Sequence, residues 1–154
     1  MKRVKTLVGG ILGVVGVSIF TAVYLFGLLL IFDILFSSGA SANEGIIILT
    51  LLIAIFNIVT IILNACSISA WSKDKERYSK KKGLIITTII FNFIVSFYDL
   101  YSLITAEESG LTVMLIYIIA IAFTLVANIL FIIDLAQEKK RVSTQAIQEE
   151  KIAQ

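Results

Sequence analysis

Threonine and asparagine recur in a fixed frame, Thr-x-x-x-Asn, inside three separate apolar stretches. The copies are TIILN at 60–64, TIIFN at 88–92 and TLVAN at 124–128. A buried amide without a hydrogen-bond partner costs roughly 2–7 kcal/mol, so each asparagine must find one. Because residues four apart share a helix face, each frame places both polar side chains on one side of a helix.

The three frames define a candidate interhelical polar layer. It comprises Asn64, Asn92, Asn128, Thr60, Thr88 and Thr124, with Asn57 further along the face of Asn64. At 1.5 Å per residue, the three frame asparagines lie about 10–12 Å from the basic-flanked ends of their stretches. We therefore expect the amides to hydrogen-bond one another across helices. The alternatives are bonding within each helix to the preceding turn, and a hydrophilic site or narrow pathway lined by the asparagines.

Asp99 is the one acidic residue well inside an apolar run, in the segment SFYDLYSL. Ionisable residues within membranes are functional candidates by default, so Asp99 is a candidate ion or proton site. Tyr98 and Tyr101 beside it, near the end of the run, equally fit an anchor at the membrane interface.

Other chemistry is poorly represented in the sequence. With no histidine and a single cysteine, Cys66, the chain offers no intrachain disulfide, no Cys-x-x-Cys pair and no histidine metal site. Catalytic and nucleotide-binding motifs are missing as well. We expect neither an enzyme nor a metal or cofactor site, and no nucleic-acid partner.

Four apolar stretches must position these residues, at roughly 7–32, 46–71, 84–106 and 111–135. The chain has 154 residues, of which 58% are hydrophobic and 16% charged, against about 25% charged in soluble domains. Each stretch has at least the length of about 20 residues that a helix needs to cross a bilayer. The apolar residues in each run continuously and do not alternate with polar ones, which indicates helices and not the strands of a barrel. The sequence predicts one all-α domain over 1–154, an integral membrane bundle of four antiparallel helices. A cleaved signal ending at Ala40-Ser41-Ala42 is the alternative for the first stretch, whose apolar core exceeds a signal's about 7–15 residues.

The charges predict an orientation. All thirteen lysines and arginines lie within 2–5, 73–82 and 139–151, whereas the connections 33–45 and 107–110 carry only acidic charges. Cytoplasmic loops are enriched in basic residues, so we expect both termini, the loop 72–83 and the tail 136–154 to be cytoplasmic.

The middle basic cluster is also a candidate contact for anionic lipid headgroups on the cytoplasmic side. Each basic residue near such a surface contributes about 1 kcal/mol. The alternative is that the cluster only determines topology. Its members are Lys73, Lys75, Arg77, Lys80, Lys81 and Lys82.

Glycines in the first stretch predict a helix-packing surface. Gly9-x-x-x-Gly13 leaves two bare patches one turn apart, and Gly16 extends the same groove. We expect this groove to pack within the bundle. The alternatives are a contact between two copies and the general abundance of glycine in membrane helices.

The opening MKRVKTLVGGILGVVG, the heavy use of isoleucine and lysine and the four-span layout resemble small membrane proteins of low-GC Gram-positive bacteria. In layout the resemblance covers the whole chain. In amino-acid residues it covers only the glycine-rich start. It implies a bacterial plasma membrane and no established activity. Small multidrug exporters share the four-span size but centre on a glutamate in the first helix, and this first stretch has no acidic residue before Asp33.

These features favour a non-enzymatic accessory or interaction protein of the plasma membrane. It would be a subunit of a membrane complex or an immunity-type protein, with another membrane protein or a second copy as partner. The alternative is a small transporter or channel for a cation or cationic solute, based on Asp99, the asparagines and the acidic external connections. A water-accessible cavity from Asp99 to Asn92 would favour transport, and a tightly packed core the accessory role.

Overall fold

The structure, a computed structural model, describes residues 4–38, 44–69, 75–105 and 111–153. Four α-helices account for nearly all of them: α1 (Val4–Ser38), α2 (Glu44–Ile68), α3 (Lys75–Thr105) and α4 (Leu111–Ala153). The all-α fold predicted from the sequence is confirmed.

Each helix contains a segment long and apolar enough to cross a membrane: Val4–Leu30, Ile47–Ile68, Lys81–Ile104 and Leu111–Gln145. The predicted number of such helices is confirmed. The predicted ends of the second and third stretches, Trp71 and Ala106, lie outside the described residues.

The helices run further than the apolar stretches. Most of the expected loop 72–83 is the start of α3, which begins at Lys75, and the tail expected from residue 136 continues α4 to Ala153. Lysine, arginine, glutamate and glutamine are good helix formers. Hydropathy therefore marks the length that suits a bilayer, and the hydrogen-bonded helix continues past it.

Neighbouring helices are antiparallel. On α2 and α3, Asn64 contacts Asn92 and Ser67 contacts Thr88, so residue numbers rise on one helix as they fall on the other. The same order relates α3 to α4, and α1 packs against α2 and α4 and meets α3 across the bundle. We name the end near Lys5, Lys82 and Lys139 the basic end, and the opposite end the far end.

The bundle is polar inside and apolar outside. Two apolar clusters fill part of the core, one around Phe20 and Val95 and one around Ile85 and Phe131. The remaining buried side chains are largely polar, whereas large apolar side chains cover the outer faces of all four helices. This distribution is the reverse of a soluble protein's and suits a lipid environment, where backbone and polar groups must be satisfied internally.

The glycines of α1 pack inside the bundle, but they do not form the single groove expected from the sequence. Cβ atoms built at Gly9 and Gly16 would meet α4, at Ala127 O (3.1 Å) and Thr124 Cγ2 (2.9 Å) respectively. Gly10 and Gly13 face α2 instead. The predicted groove is divided because α1 lies between two neighbours, and each helix uses its own pair of glycines.

We expect Gly13→Ala to destabilise the bundle and Gly27→Ala to leave it intact. A Cβ at Gly13 would lie 1.9 Å from Asn64 Oδ1, whereas nothing lies within 4 Å of a Cβ at Gly27. Overpacking of this kind costs about 1–3 kcal/mol, and an unobstructed Gly→Ala change in a helix gains up to about 1 kcal/mol. Unfolding of the purified variants in detergent micelles measures both, and equal stability would contradict the close approach of α1.

Candidate functional site

Three asparagines on three helices form a hydrogen-bonded layer across the bundle. Asn64 Nδ2 donates to Asn92 Oδ1 (2.7 Å), and Asn92 Nδ2 donates back to Asn64 Oδ1 (3.2 Å). Asn92 Nδ2 also donates to Asn128 Oδ1 at 3.1 Å. All three side chains are fully buried. The structure thus brings together the asparagines of the three Thr-x-x-x-Asn frames, with Asn92 in the middle.

The first helix completes this layer without a polar side chain. The backbone of α1 approaches at Gly13, whose missing Cβ leaves the space that Asn64 Oδ1 occupies. The amide layer, which we define as Gly13, Asn64, Asn92 and Asn128, therefore takes one position from each helix.

The threonines of the frames bond within their own helices. Each hydroxyl donates to a carbonyl about one turn back: Thr60 to Phe56 (2.8 Å), Thr88 to Leu84 (2.8 Å) and Thr124 to Ile121 (2.9 Å). Each frame threonine thus bonds within its own helix, and Thr88 and Thr124 also contact neighbouring helices. The asparagines link the helices to one another.

Two serines add further links between helices on either side of the amide layer. The hydroxyls of Ser67 and Thr88 are 2.8 Å apart, and those of Ser96 and Thr124 are 2.7 Å apart. In both pairs either hydroxyl can be the donor, because serine and threonine each carry one proton and accepting lone pairs. The layer is thus extended by one polar contact towards each end.

At the basic end, Thr6 donates a hydrogen bond to Asp134 Oδ2, and both side chains are buried. Asp134 closes the end of the α1–α4 interface, although its position in the sequence suggests only a boundary residue. Of the predicted lipid-contact set, Lys81 Nζ donates to Ser69 Oγ just after the end of α2, and Lys82 is exposed.

The rest of that set is described less fully. Lys75, Arg77 and Lys80 lie in the first two turns of α3, and Lys73 falls outside the described residues. Contact with anionic lipid remains a prediction.

Towards the far end, Asp99 is buried rather than placed at the surface. Its side chain is 1% exposed, and Tyr24 of α1 donates its hydroxyl proton to Asp99 Oδ1 at 3.2 Å. The hydroxyl of Ser102 lies 3.4 Å from that of Tyr24. The neighbouring Tyr101 is exposed on the outside of the bundle, and a position of this region at a membrane interface stays a prediction.

Aromatic rings surround this acidic group. The rings of Tyr24 and Tyr98 are 6.2 Å apart and tilted by 43°, and those of Phe20 and Tyr117 are 5.6 Å apart. We define the Asp99 cluster as Asp99, Tyr24, Ser102, Tyr98 and Tyr117. It joins α1, α3 and α4.

The remaining helix, α2, contributes Asn57 at this level. Asn57 precedes Asn64 by two helical turns, and Asp99 follows Asn92 by two turns on the antiparallel neighbour. Within the part of the chain that the structure describes, three buried polar atoms have no hydrogen-bond partner: Asn57 Nδ2, Asp99 Oδ2 and Asn128 Nδ2. The polar core is therefore satisfied at Asn64 and Asn92 and incomplete at Asn128, Asp99 and Asn57.

Sequence reasoning missed the two partners that α1 supplies, Thr6 and Tyr24. Their spacing could have revealed them. Successive intervals of three, four or seven residues separate Thr6, Gly10, Gly13, Phe20 and Tyr24. Such intervals mark one helix face, and its small residues are bounded by a polar group at each end.

The described residues contain no group of three or more histidine, cysteine, aspartate or glutamate side chains that could hold a metal ion. Comparison with protein-family models, with curated proteins and with solved structures finds no match for this chain.

Asn92→Leu should lower stability more than Asn57→Leu. The first change removes the central amide and leaves Asn64 Oδ1 and Asn128 Oδ1 buried without their donor. Asn57 Nδ2 has no hydrogen bond to lose. Interhelical bonds of this kind contribute about 0.6 to 2 kcal/mol each, so we expect a difference of about 1–2 kcal/mol in unfolding free energy. The variant in which Asn64, Asn92 and Asn128 are all replaced by leucine should be less stable than Asn92→Leu. Unchanged stability of this triple variant would rule out a stabilising role for the hydrogen bonds between the asparagines.

Proposed function

We propose that the chain is a multi-pass protein of the bacterial plasma membrane, with both termini and the α2–α3 connection in the cytoplasm. Its four apolar helices support insertion. The described basic residues Lys5, Lys82 and Lys139 occupy one end of the bundle, whereas Asp33 of α1 lies towards the other. The positive-inside rule assigns the basic end to the cytoplasm.

Thiol labelling of whole cells tests this orientation. In a Cys66→Ala background, a Ser109→Cys variant should react with a membrane-impermeant maleimide, and a Ser143→Cys variant only after permeabilisation. Ser143 is exposed on α4 beyond the basic end, and Ser109 lies in the connection between α3 and α4. The reverse pattern would contradict the proposed topology.

Within that membrane, the packing best supports a non-enzymatic accessory or interaction protein. It would act as a subunit of a membrane complex or as an immunity-type protein that shields the cell from a membrane-active toxin. The observation that carries this proposal is the amide layer, whose polar groups bond to one another while Gly13 seals it. The middle of the bundle then has a structural task, and the apolar outer faces are left to contact lipid or a partner.

Crosslinking in native membranes, followed by purification of the tagged chain and mass spectrometry, tests the accessory role. A partner recovered in stoichiometric amount with the wild type and with Asp99→Asn alike supports it, because such a partner does not depend on the acidic group. Recovery of the chain alone, or only with further copies of itself, would contradict it.

A second candidate function is transport of a cation, favoured by one specific observation. Asp99 is buried far from every basic residue of the four helices, at the end of a series of inward polar side chains. Gly13 and Asn64 close this series in the present conformation, so transport would require the amide layer to open.

We expect cation flux into liposomes, if the protein is a transporter, to be lost in Asp99→Asn and kept in Asp33→Asn. Both changes remove one acidic group at nearly constant size, but Asp33 is exposed whereas Asp99 is buried. Equal flux in wild type and Asp99→Asn would exclude transport through this group.

A further inference from the structure

The charge of Asp99 has no counterpart among the residues that the structure describes. The nearest basic residue on α3 is Lys82, about 25 Å away along the helix at 1.5 Å per residue. Lys5 on α1 and Lys139 on α4 lie near the same basic end, and α2 contains no basic residue. A carboxylate buried in a membrane interior must be paired or neutralised, so the species that neutralises Asp99 must come from outside the protein.

We propose that Asp99 is a reversible proton-binding site that exchanges its proton with the far end of the bundle. The inference deepens the second proposed function, because it names the proton as the cation that the Asp99 cluster takes.

The geometry around Asp99 favours a proton over a metal ion. Calcium takes six to eight oxygen ligands and magnesium demands a near-octahedral set. Here Asp99 Oδ1 already accepts a hydrogen bond from the hydroxyl of Tyr24. Asp99 Oδ2 has no hydrogen-bond partner among the described residues. A proton needs neither a ligand shell nor a cavity, and it neutralises the group where it stands.

Access to Asp99 differs between the two directions along the bundle. Towards the far end, the next residue on the inner face of α3 is Ser102, which is half-buried. Towards the basic end, the apolar cluster around Phe20 and Val95 and then the amide layer intervene. A proton therefore reaches Asp99 from the far end in this conformation.

Other titratable groups do not compete for this role. Tyr24 faces Asp99 from α1, Tyr117 from α4 and Tyr98 lies beside it on α3. The remaining helix, α2, contributes Asn57, whose amide does not titrate. Asp99 is the carboxyl group of the Asp99 cluster, and we assign the proton to it.

Infrared spectroscopy of the purified protein in lipid membranes tests the proposal directly. We expect the carbonyl stretch of a protonated carboxyl group at a pH where exposed carboxyl groups are ionised, and its loss as the pH is raised. Asp99→Asn should abolish the band. Asp33→Asn should keep it, and so should Asp134→Asn, which controls for the other buried acidic group. A missing wild-type band, or a band that persists in Asp99→Asn, would overturn the proposal.

A sodium titration at fixed pH tests the choice of ligand. The band should be insensitive to sodium when chloride and ionic strength are held constant with a large organic cation. Loss of the band on addition of sodium would overturn the assignment to a proton and identify a metal ion as the ligand.

Thiol reactivity tests the direction of access. In a Cys66→Ala background, a Ser102→Cys variant should react with a small water-soluble reagent much faster than a Ser96→Cys variant. Both serines lie on the inner face of α3, but Ser96 is buried and bonded to Thr124. Equal rates would overturn exchange from the far end.

These measurements require no flux, so they separate the inference from the proposed function. A band that titrates without cation flux retains the proton site and removes transport. Flux that depends on Asp99 while no protonated band is found removes the proton site and retains transport.

Discussion

The arrangement of the four helices depends on one close approach, that of the α1 backbone at Gly13 to the amide of Asn64. Asn64 is held in place because its Nδ2 donates both to Thr60 O (2.9 Å) and to Asn92 Oδ1. Asn92 in turn donates to Asn128. A side chain on α1 at this position would displace the first amide and, through it, the other two. The glycine therefore sets the distance of α1 while the asparagines set the rotation and register of the other helices.

In the membrane that we propose for this chain, such a layer would matter more than in a soluble bundle, because lipid is as apolar as the outer faces of the helices. Burial of apolar surface does not select one packing over another when the surroundings are hydrocarbon. Individual hydrogen bonds in membranes contribute only about 0.6 kcal/mol on average. The bonds of Ser67 to Thr88 and of Ser96 to Thr124 repeat the constraint on either side, so register is specified by several weak contacts that agree.

Features that depend on residue spacing could be predicted from the sequence, and those that depend on helix rotation could not. The Thr-x-x-x-Asn frames could be predicted to meet because equal depth in antiparallel helices is a matter of counting residues. Which neighbour each glycine of α1 faces depends on how α1 is turned between α2 and α4, and no local pattern encodes this. The burial of Asp99 depends likewise on Tyr24, which reaches it from across the bundle. The start of α3 at Lys75 could not be predicted from hydropathy, because hydropathy marks the apolar length and not the extent of the hydrogen-bonded backbone.

Buried polar side chains have hydrogen-bond partners in one part of the core and lack them in another. This difference bears on the proposed functions. A core that served packing alone would be expected to satisfy its polar groups throughout, since each unpaired group weakens it. Asn64 and Asn92 meet that condition, although Asn128 Nδ2 in the same layer has no partner. Asp99 Oδ2 and Asn57 Nδ2 stand unpaired two turns further on, and the tyrosines beside them supply only one hydrogen bond to the carboxyl group. An accessory role would account for the hydrogen bonds between Asn64 and Asn92. For Asp99, which is buried far from the basic residues of the four helices, we propose an exchangeable proton instead.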